Sequence, residues 1–377
     1  MPLSSAVSKT ILLFPFLFVC ILITGCQQTD KDKKESKPNN ENKIEVIAYY
    51  SGGQADIDKF DLTGVTQLIY SFLHLKGNSL AIDNTADSLT LKHLTGLKSK
   101  YPNLKVLLSL GGWGGCKTCS DVFASASARK EFAASTVKII KDFNADGIDL
   151  DWEYPVVPGP PGHPYSDADK EHFTALVQEL NTALKPKHII SFAAGGFPDY
   201  LEKSVDWEKV MPLIDHVNIM SYDLFHGYSK STGHHTPLYP NDHQTLSVDQ
   251  SVKYLTSRGV PEQQIVIGAA FYGRIWESVA NSNQGLYETG TFKRSIGYNN
   301  LEQLDEGFVF YWDSISKAPY AYNAKKGYFF TYDDAQSIAS KTQYAKEKGL
   351  KGIMFWELMN DKPESGLLEV MVNEAKK

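Results

Sequence analysis

From Ile44 onward, short apolar runs alternate with longer stretches in which apolar residues recur every third or fourth position. The short runs predict strands at Glu45–Tyr50, Gln67–Leu75, Lys105–Gly111, Gly147–Glu153, His188–Gly195, His216–Tyr222, Gln264–Phe271 and Lys351–Trp356. The longer ones predict helices at Asp87–Tyr101, Ser120–Phe143, Ser166–Leu184, Val248–Arg258 and Asp334–Lys348. Strand and helix alternating eight times over predicts an α/β fold, a (β/α)8 TIM barrel. One connection departs from the pattern. Between Arg274 and Thr331 the chain is rich in Tyr, Phe and Gly, and its alternating runs Phe308–Trp312 and Tyr328–Tyr332 predict antiparallel strands. A connection this long is normally functional or a small domain of its own. Residues 273–331 are therefore expected to form a small α+β insertion domain after the seventh strand, walling one side of the barrel mouth, with the barrel itself built from 44–272 and 332–377.

Before Ile44 the pattern changes. Lys9 precedes an apolar run from Ile11 to Ile23 that is short for a membrane span and has no basic stop after it, so residues 1–25 predict an export signal. The run ends Ile23-Thr24-Gly25-Cys26, which resembles the lipobox of bacterial lipoproteins and implies a lipid on Cys26; a plain signal with an incidental cysteine is the alternative. Gln27, where a retention signal would have Asp, favours the outer membrane in a Gram-negative source. Residues 26–43 are expected to form a flexible tether, and Gln27–Lys43, with no apolar residue, would span roughly 20–25 Å as a coil. The expected location is the cell envelope, with the folded body exported and standing off the membrane on its lipid anchor.

Composition narrows the function. A chain of 377 residues, 42% hydrophobic and 12% aromatic, can bury one large core, and disorder is excluded for most of it. A net charge of -6 with no basic block argues against nucleic acid as a partner. The abundant rings suit a flat, hydroxylated ligand that stacks. Of four cysteines, Cys20 is expected to leave with the signal and Cys26 is the expected lipid site, leaving Cys116 and Cys119. A C-x-x-C pair can be a redox motif or half of a zinc site, but no second pair exists and export leads to an oxidising compartment, so a structural disulfide is favoured. No metal or cofactor is expected, and the body is expected to be a monomer.

The chemistry centres on Asp146-Gly147-Ile148-Asp149-Leu150-Asp151-Trp152-Glu153-Tyr154-Pro155. On an extended strand Asp149, Asp151 and Glu153 share one face while Ile148, Leu150 and Trp152 share the other. Three converging carboxylates cannot all ionise cheaply, so at least one pKa must rise, and a carboxyl still protonated near neutrality is a general acid. Glu153, where the chain leaves the sheet, is the candidate for that role. In a barrel of this kind, chemistry gathers at the C-terminal ends of strands. Those ends here carry Tyr49-Tyr50, Ser71-Phe72, Ser109-Leu110-Gly111-Gly112-Trp113, Met220-Ser221-Tyr222-Asp223, Phe271-Tyr272-Gly273-Arg274 and Met354-Phe355-Trp356-Glu357.

These residues resemble a known family. Asp146–Glu153 is similar to the D-G-x-D-x-D-x-E signature of family 18 glycoside hydrolases, the chitinases and their relatives. S-x-G-G at Ser109–Gly112, M-x-Y-D at Met220–Asp223, Y-x-R at Tyr272–Arg274, Y-D-D at Tyr332–Asp334 and the late Trp356 follow in the family's order. The resemblance spans roughly Glu45 to the C-terminus. It implies retaining hydrolysis of β-1,4 bonds in chitin or chito-oligosaccharides, with the substrate's 2-acetamido oxygen as nucleophile. By the same resemblance, Glu153 is the acid and base, Asp151 holds the acetamido N–H, Asp149 shares a proton with Asp151 above Ser109, and Tyr222 donates to the acetamido oxygen. Asp223 contacts the distorted sugar and Trp356 is its floor. Tyr49, Phe72, Gly112, Trp113, Met220, Tyr272 and Arg274 line the groove. Two alternatives stay open: hydrolysis of N-glycan cores or peptidoglycan strands, and a lectin without turnover, which would typically lack the acid at Glu153. The Cys116–Cys119 pair beside Trp113 departs from the family pattern and would reshape the groove edge.

Overall fold

The computed structural model describes residues 43–377; the expected signal, Cys26 and nearly all of the tether lie outside the described residues. In chain order the strands are β1 (Glu45–Tyr50), β2 (Gln67–Lys76), β3 (Ser79–Ala81), β4 (Lys105–Gly111), β5 (Gly147–Asp151), β6 (Ile189–Gly195) and β7 (His216–Met220). They continue with β8 (Ile265–Ala270), β9 (Tyr272–Glu277), β10 (Thr291–Gly297), β11 (Val309–Asp313), β12 (Ala318–Asn323), β13 (Tyr328–Thr331) and β14 (Gly352–Trp356). Eight of them run parallel in the order β1-β2-β4-β5-β6-β7-β8-β14, and β14 pairs back onto β1, closing a (β/α)8 barrel. Among the described residues, no helix is long and apolar enough to cross a membrane.

The period-two pattern of the strands builds two cores. On β1, Val46, Ala48 and Tyr50 point out to the helices, whereas Ile47 and Tyr49 fill the barrel with Ile69, Leu107, Val266 and Met354. On β5, Ile148 and Leu150, with Trp152 just beyond, pack outward into the large core, where Phe123 lies 5.5 Å from the Trp152 ring. Their outward burial, roughly 1.5–3 kcal/mol for each large apolar side chain, is what commits the alternate residues Asp149 and Asp151 to the interior.

Several boundaries differ from the sequence reading. Strand β5 stops at Asp151 and β7 at Met220, so Glu153, Tyr222 and Asp223 stand on the connections just beyond the strands. The expected helix Ser120–Phe143 is two helices, Cys119–Ala124 and Ala126–Phe143, because Ser125 is extended and its hydroxyl caps the second by accepting from Ala128 N. The helix expected from Ser166 begins at Asp169, whose carboxylate accepts from Ser166 N and from Ser120 Oγ, both at 2.8 Å.

After β8 comes a five-stranded antiparallel sheet in the order β10-β9-β13-β12-β11. It contains both strands foreseen there, with β9, β10 and β12 besides. Apolar clusters cover both faces, one around Trp276, Tyr322 and Phe329, the other around Ile275, Phe330 and Tyr332. Strand β9 begins two residues after β8 ends, so Arg274 is carried to the barrel mouth by a strand of the added sheet.

Candidate active site

In-register pairing sets Ser109 of β4, Asp149 of β5 and Ser191 of β6 side by side inside the barrel. Asp149 is fully buried and its two oxygens are met by four donors. Tyr49 Oη at 3.0 Å and Ser109 Oγ at 2.9 Å reach Oδ2, while Ser191 Oγ at 2.7 Å and Asn218 Nδ2 at 3.1 Å reach Oδ1. Burial pushes the Asp149 pKa up and these hydrogen bonds pull against it. An unpartnered buried carboxylate would cost several kcal/mol, and four hydrogen bonds of roughly 1.5–3 kcal/mol each are enough to offset that.

Asp151, one layer higher, lacks that support. Its Oδ1 is buried with no hydrogen-bond partner, and burial, then Glu153, then Asp149 push its pKa well above the usual carboxylate range. Glu153, 8% exposed, is pushed up to about 7, chiefly by burial and further by the charge of Asp223, against a hydrogen bond from Tyr154. Such strongly interacting acids release protons as a set rather than one by one.

The glycines of Ser109–Gly112 let the next loop close over these acids. Gly111 and Gly112 have φ of +108° and +75°; a Cβ on Gly111 would lie 2.3 Å from the Asp151 carbonyl, and one on Gly112 2.3 Å from the Phe72 ring. Gly112 N donates to Asp151 O at 2.9 Å, fixing the loop to the acid strand. Beyond it Trp113 is 55% exposed, and Cys116 and Cys119 are joined as a disulfide. Trp356, half-buried, stacks on Phe72 with centroids 5.5 Å apart and leans on Tyr49 at 5.9 Å.

Opposite the acids, Tyr222 lies edge-on to Tyr272 at 6.3 Å, and Met220 and Tyr222 both pack on the inner cluster with Trp356. Asp223 has φ +56° and is gripped through both oxygens by the Arg274 guanidinium. Burial works to raise the Asp223 pKa, but His235, 3.5 Å away, and Arg274 hold it well below the usual range. The structure thus brings Asp149, Asp151, Glu153, Tyr49, Phe72, Gly112, Met220, Tyr222, Asp223, Tyr272, Arg274 and Trp356 to one end of the barrel, with Trp113 on its exposed rim.

Sequence reasoning missed Ser191, Asn218, Tyr154 and His235. Ser191 and Asn218 were within reach, as polar residues at inward positions of otherwise apolar strands. Fully buried His235 sits on the connection after β7, where no periodicity singles it out.

A family model described as glycosyl hydrolases family 18 matches residues 45–361. Chitinase A1 of Niallia circulans is 35% identical over 299 residues, which cover 72% of this chain and 43% of that protein. Chitotriosidase-1 of Mus musculus is 30% identical over 317 residues, covering 78% of this chain and 66% of that protein. This chain thus spans less than half the length of the Niallia chitinase. Among solved structures, a family 18 N-acetylglucosaminidase from Paenibacillus barengoltzii superposes with a TM-score of 0.80 at 33% identity, covering 88% of this chain and 99% of that one. On the match of its sequence, its barrel and its strand-end motifs, the chain belongs to family 18 of the glycosyl hydrolases.

Proposed function

We propose that the protein cleaves β-1,4 linkages between N-acetylglucosamine units of chitin or chito-oligosaccharides with retention, using the substrate's own acetamido group in place of an enzyme nucleophile. The observation that carries this reading is Glu153, buried at the barrel mouth with its pKa near 7 and a second raised carboxyl, Asp151, two residues before it. Glu153 gives its proton to the glycosidic oxygen as the bond to the anomeric carbon breaks, and the acetamido oxygen closes on that carbon to form an oxazolinium ring. Asp151 accepts the acetamido N–H and stabilises the positive ring; Tyr222 donates to the acetamido oxygen. As carboxylate, Glu153 then takes a proton from the water that reopens the ring. Trp356 offers the apolar floor for the sugar, and the Asp223–Arg274 pair fixes the opposite wall. The names of the chitinase and chitotriosidase relatives support this substrate class.

A second reading, release of single N-acetylglucosamine residues, is favoured by the Paenibacillus relative, which this chain matches over nearly its whole length. Chitotetraose hydrolysis, followed by NMR at early times in wild type and Glu153→Gln, tests both. Initial β-anomer, lost in the variant, is expected; undiminished cleavage in Glu153→Gln contradicts the assignment. Products limited to monosaccharide and trimer at first turnover support the second reading. We also propose export and anchorage through a lipid on Cys26, checked by fractionation of Cys26→Ser, which is expected to leave the membrane fraction.

A further inference from the structure

We infer that Thr236, held by a buried Lys341–Asp333 ion pair, is a positioning residue for Tyr222 and Asp223; the inference rests on the function proposed above. Lys341 lies on the helix Ala335–Glu347, and its side chain and that of Asp333 are both fully buried. The ammonium donates to Asp333 Oδ1 at 2.8 Å, to Asp333 Oδ2 at 2.6 Å and to Thr236 Oγ1 at 2.5 Å. Those are all three of its protons. Because an ammonium cannot accept, the Thr236 hydroxyl must receive from Lys341 and turn its own proton elsewhere. It turns it to the Ser221 carbonyl, 3.1 Å away, which belongs to the peptide leading directly into Tyr222.

The same cluster fixes the surroundings of that peptide. Asp333 Oδ2 accepts from Ala270 N at the end of β8, and Ser221 Oγ bridges Gly268 N and O at 2.9 and 3.0 Å. Beside Thr236, His235 N donates to Thr331 Oγ1, and His235 O accepts from Leu224 N. The segment between these anchors contains Asp223 in the left-handed conformation, which an L side chain other than glycine seldom adopts. Buried ion pairs contribute little to stability on balance, since desolvation consumes most of the attraction. What this one supplies is direction: a charge whose protons are all spoken for forces one orientation on the hydroxyl and one position on the carbonyl. Through that carbonyl, Tyr222 and Asp223 are held toward Glu153 and Asp151.

Lys341→Met would strand a buried carboxylate and threaten folding, so the test is made at Thr236. Thr236→Val keeps the shape and removes the hydroxyl; Thr236→Ser restores it. Both are expected to keep a cooperative thermal transition. On chitotetraose, Thr236→Val is expected to lower kcat on the order of tenfold with a smaller change in KM, and Thr236→Ser to stay within about twofold of wild type. Wild-type kcat in Thr236→Val, or an equal loss in Thr236→Ser, overturns the inference. If the wild-type protein binds chitotetraose without cleaving it, the proposed function falls, and positioning is read from affinity instead. Weaker binding in Thr236→Val alone then upholds the role, and equal affinity in all three proteins overturns it.

Discussion

Glu153 and Asp223 stand just past the ends of β5 and β7 at the same mouth, and burial acts on both in the same direction, against ionisation. Yet Glu153 is held protonated up to about pH 7, while Asp223 is held ionised. Among the described residues Glu153 makes no ion pair, whereas Asp223 meets the Arg274 guanidinium and the His235 ring. Desolvation is the common background, and a built-in cation decides which carboxyl escapes it. That cation comes from β9, the first strand of the added sheet. The barrel thus carries both carboxyls, and the sheet beside it supplies the cation that keeps one of them ionised.

The largest effect is expected beside Glu153. Asp151→Asn is expected to lower kcat roughly a hundred- to thousandfold, because in the proposed mechanism the carboxyl that orients and charge-stabilises the acetamido group becomes an amide. Steady-state kinetics on chitotetraose with little change in KM would fit this; a loss confined to KM would not. On the other side, Asp223→Asn is expected to cost on the order of tenfold in kcat/KM. Because the Asp223 charge raises the Glu153 pKa, its removal should also move the basic limb of the pH–kcat/KM profile to lower pH. An unmoved or upward-shifted limb would show that the two carboxyls do not sense each other.

The smallest effect is on stability. A folded pKa of about 7 against an ordinary 4.5 means that native Glu153 binds its proton more tightly than the unfolded chain does. Its favourable contribution is fully present below pH 4.5 and is lost as pH rises to about 7. Relative to Glu153→Gln, wild type should therefore lose on the order of 2–3 kcal/mol across that window. Urea unfolding of both proteins at a series of pH values measures it, and a constant difference would argue that Glu153 titrates normally.

Much of this was legible in the sequence, for identifiable reasons. The eight parallel strands are buried on both faces, so they read as apolar runs whatever their neighbours do, and the inward acids of β5 stand out against Ile148, Leu150 and Trp152. The break at Ser125 was hidden because an N-cap inside a continuous apolar periodicity changes no spacing. The partners of the acids were harder still. Asn218 reaches Asp149 across 69 residues and Tyr49 does so across 100. Lys341 and Thr236 are 105 residues apart, and nothing in the local pattern of either marks it as buried and paired. Acids announce themselves along a strand, whereas the donors and cations that set their pKa values come from distant strands, connections and the added sheet, and meet them only in the folded chain.

The most direct test is a carbon-13 NMR titration of the side-chain carboxyl groups in the full-length protein. The Glu153 resonance is assigned by its loss in Glu153→Gln, and the Asp223 resonance by its loss in Asp223→Asn. A Glu153 midpoint near pH 7 is expected, with Asp223 ionised throughout the range in which Glu153 titrates. A Glu153 midpoint near the ordinary 4.5, or an Asp223 carboxyl that titrates alongside it, would contradict the division between proton donor and fixed charge on which the proposed chemistry rests.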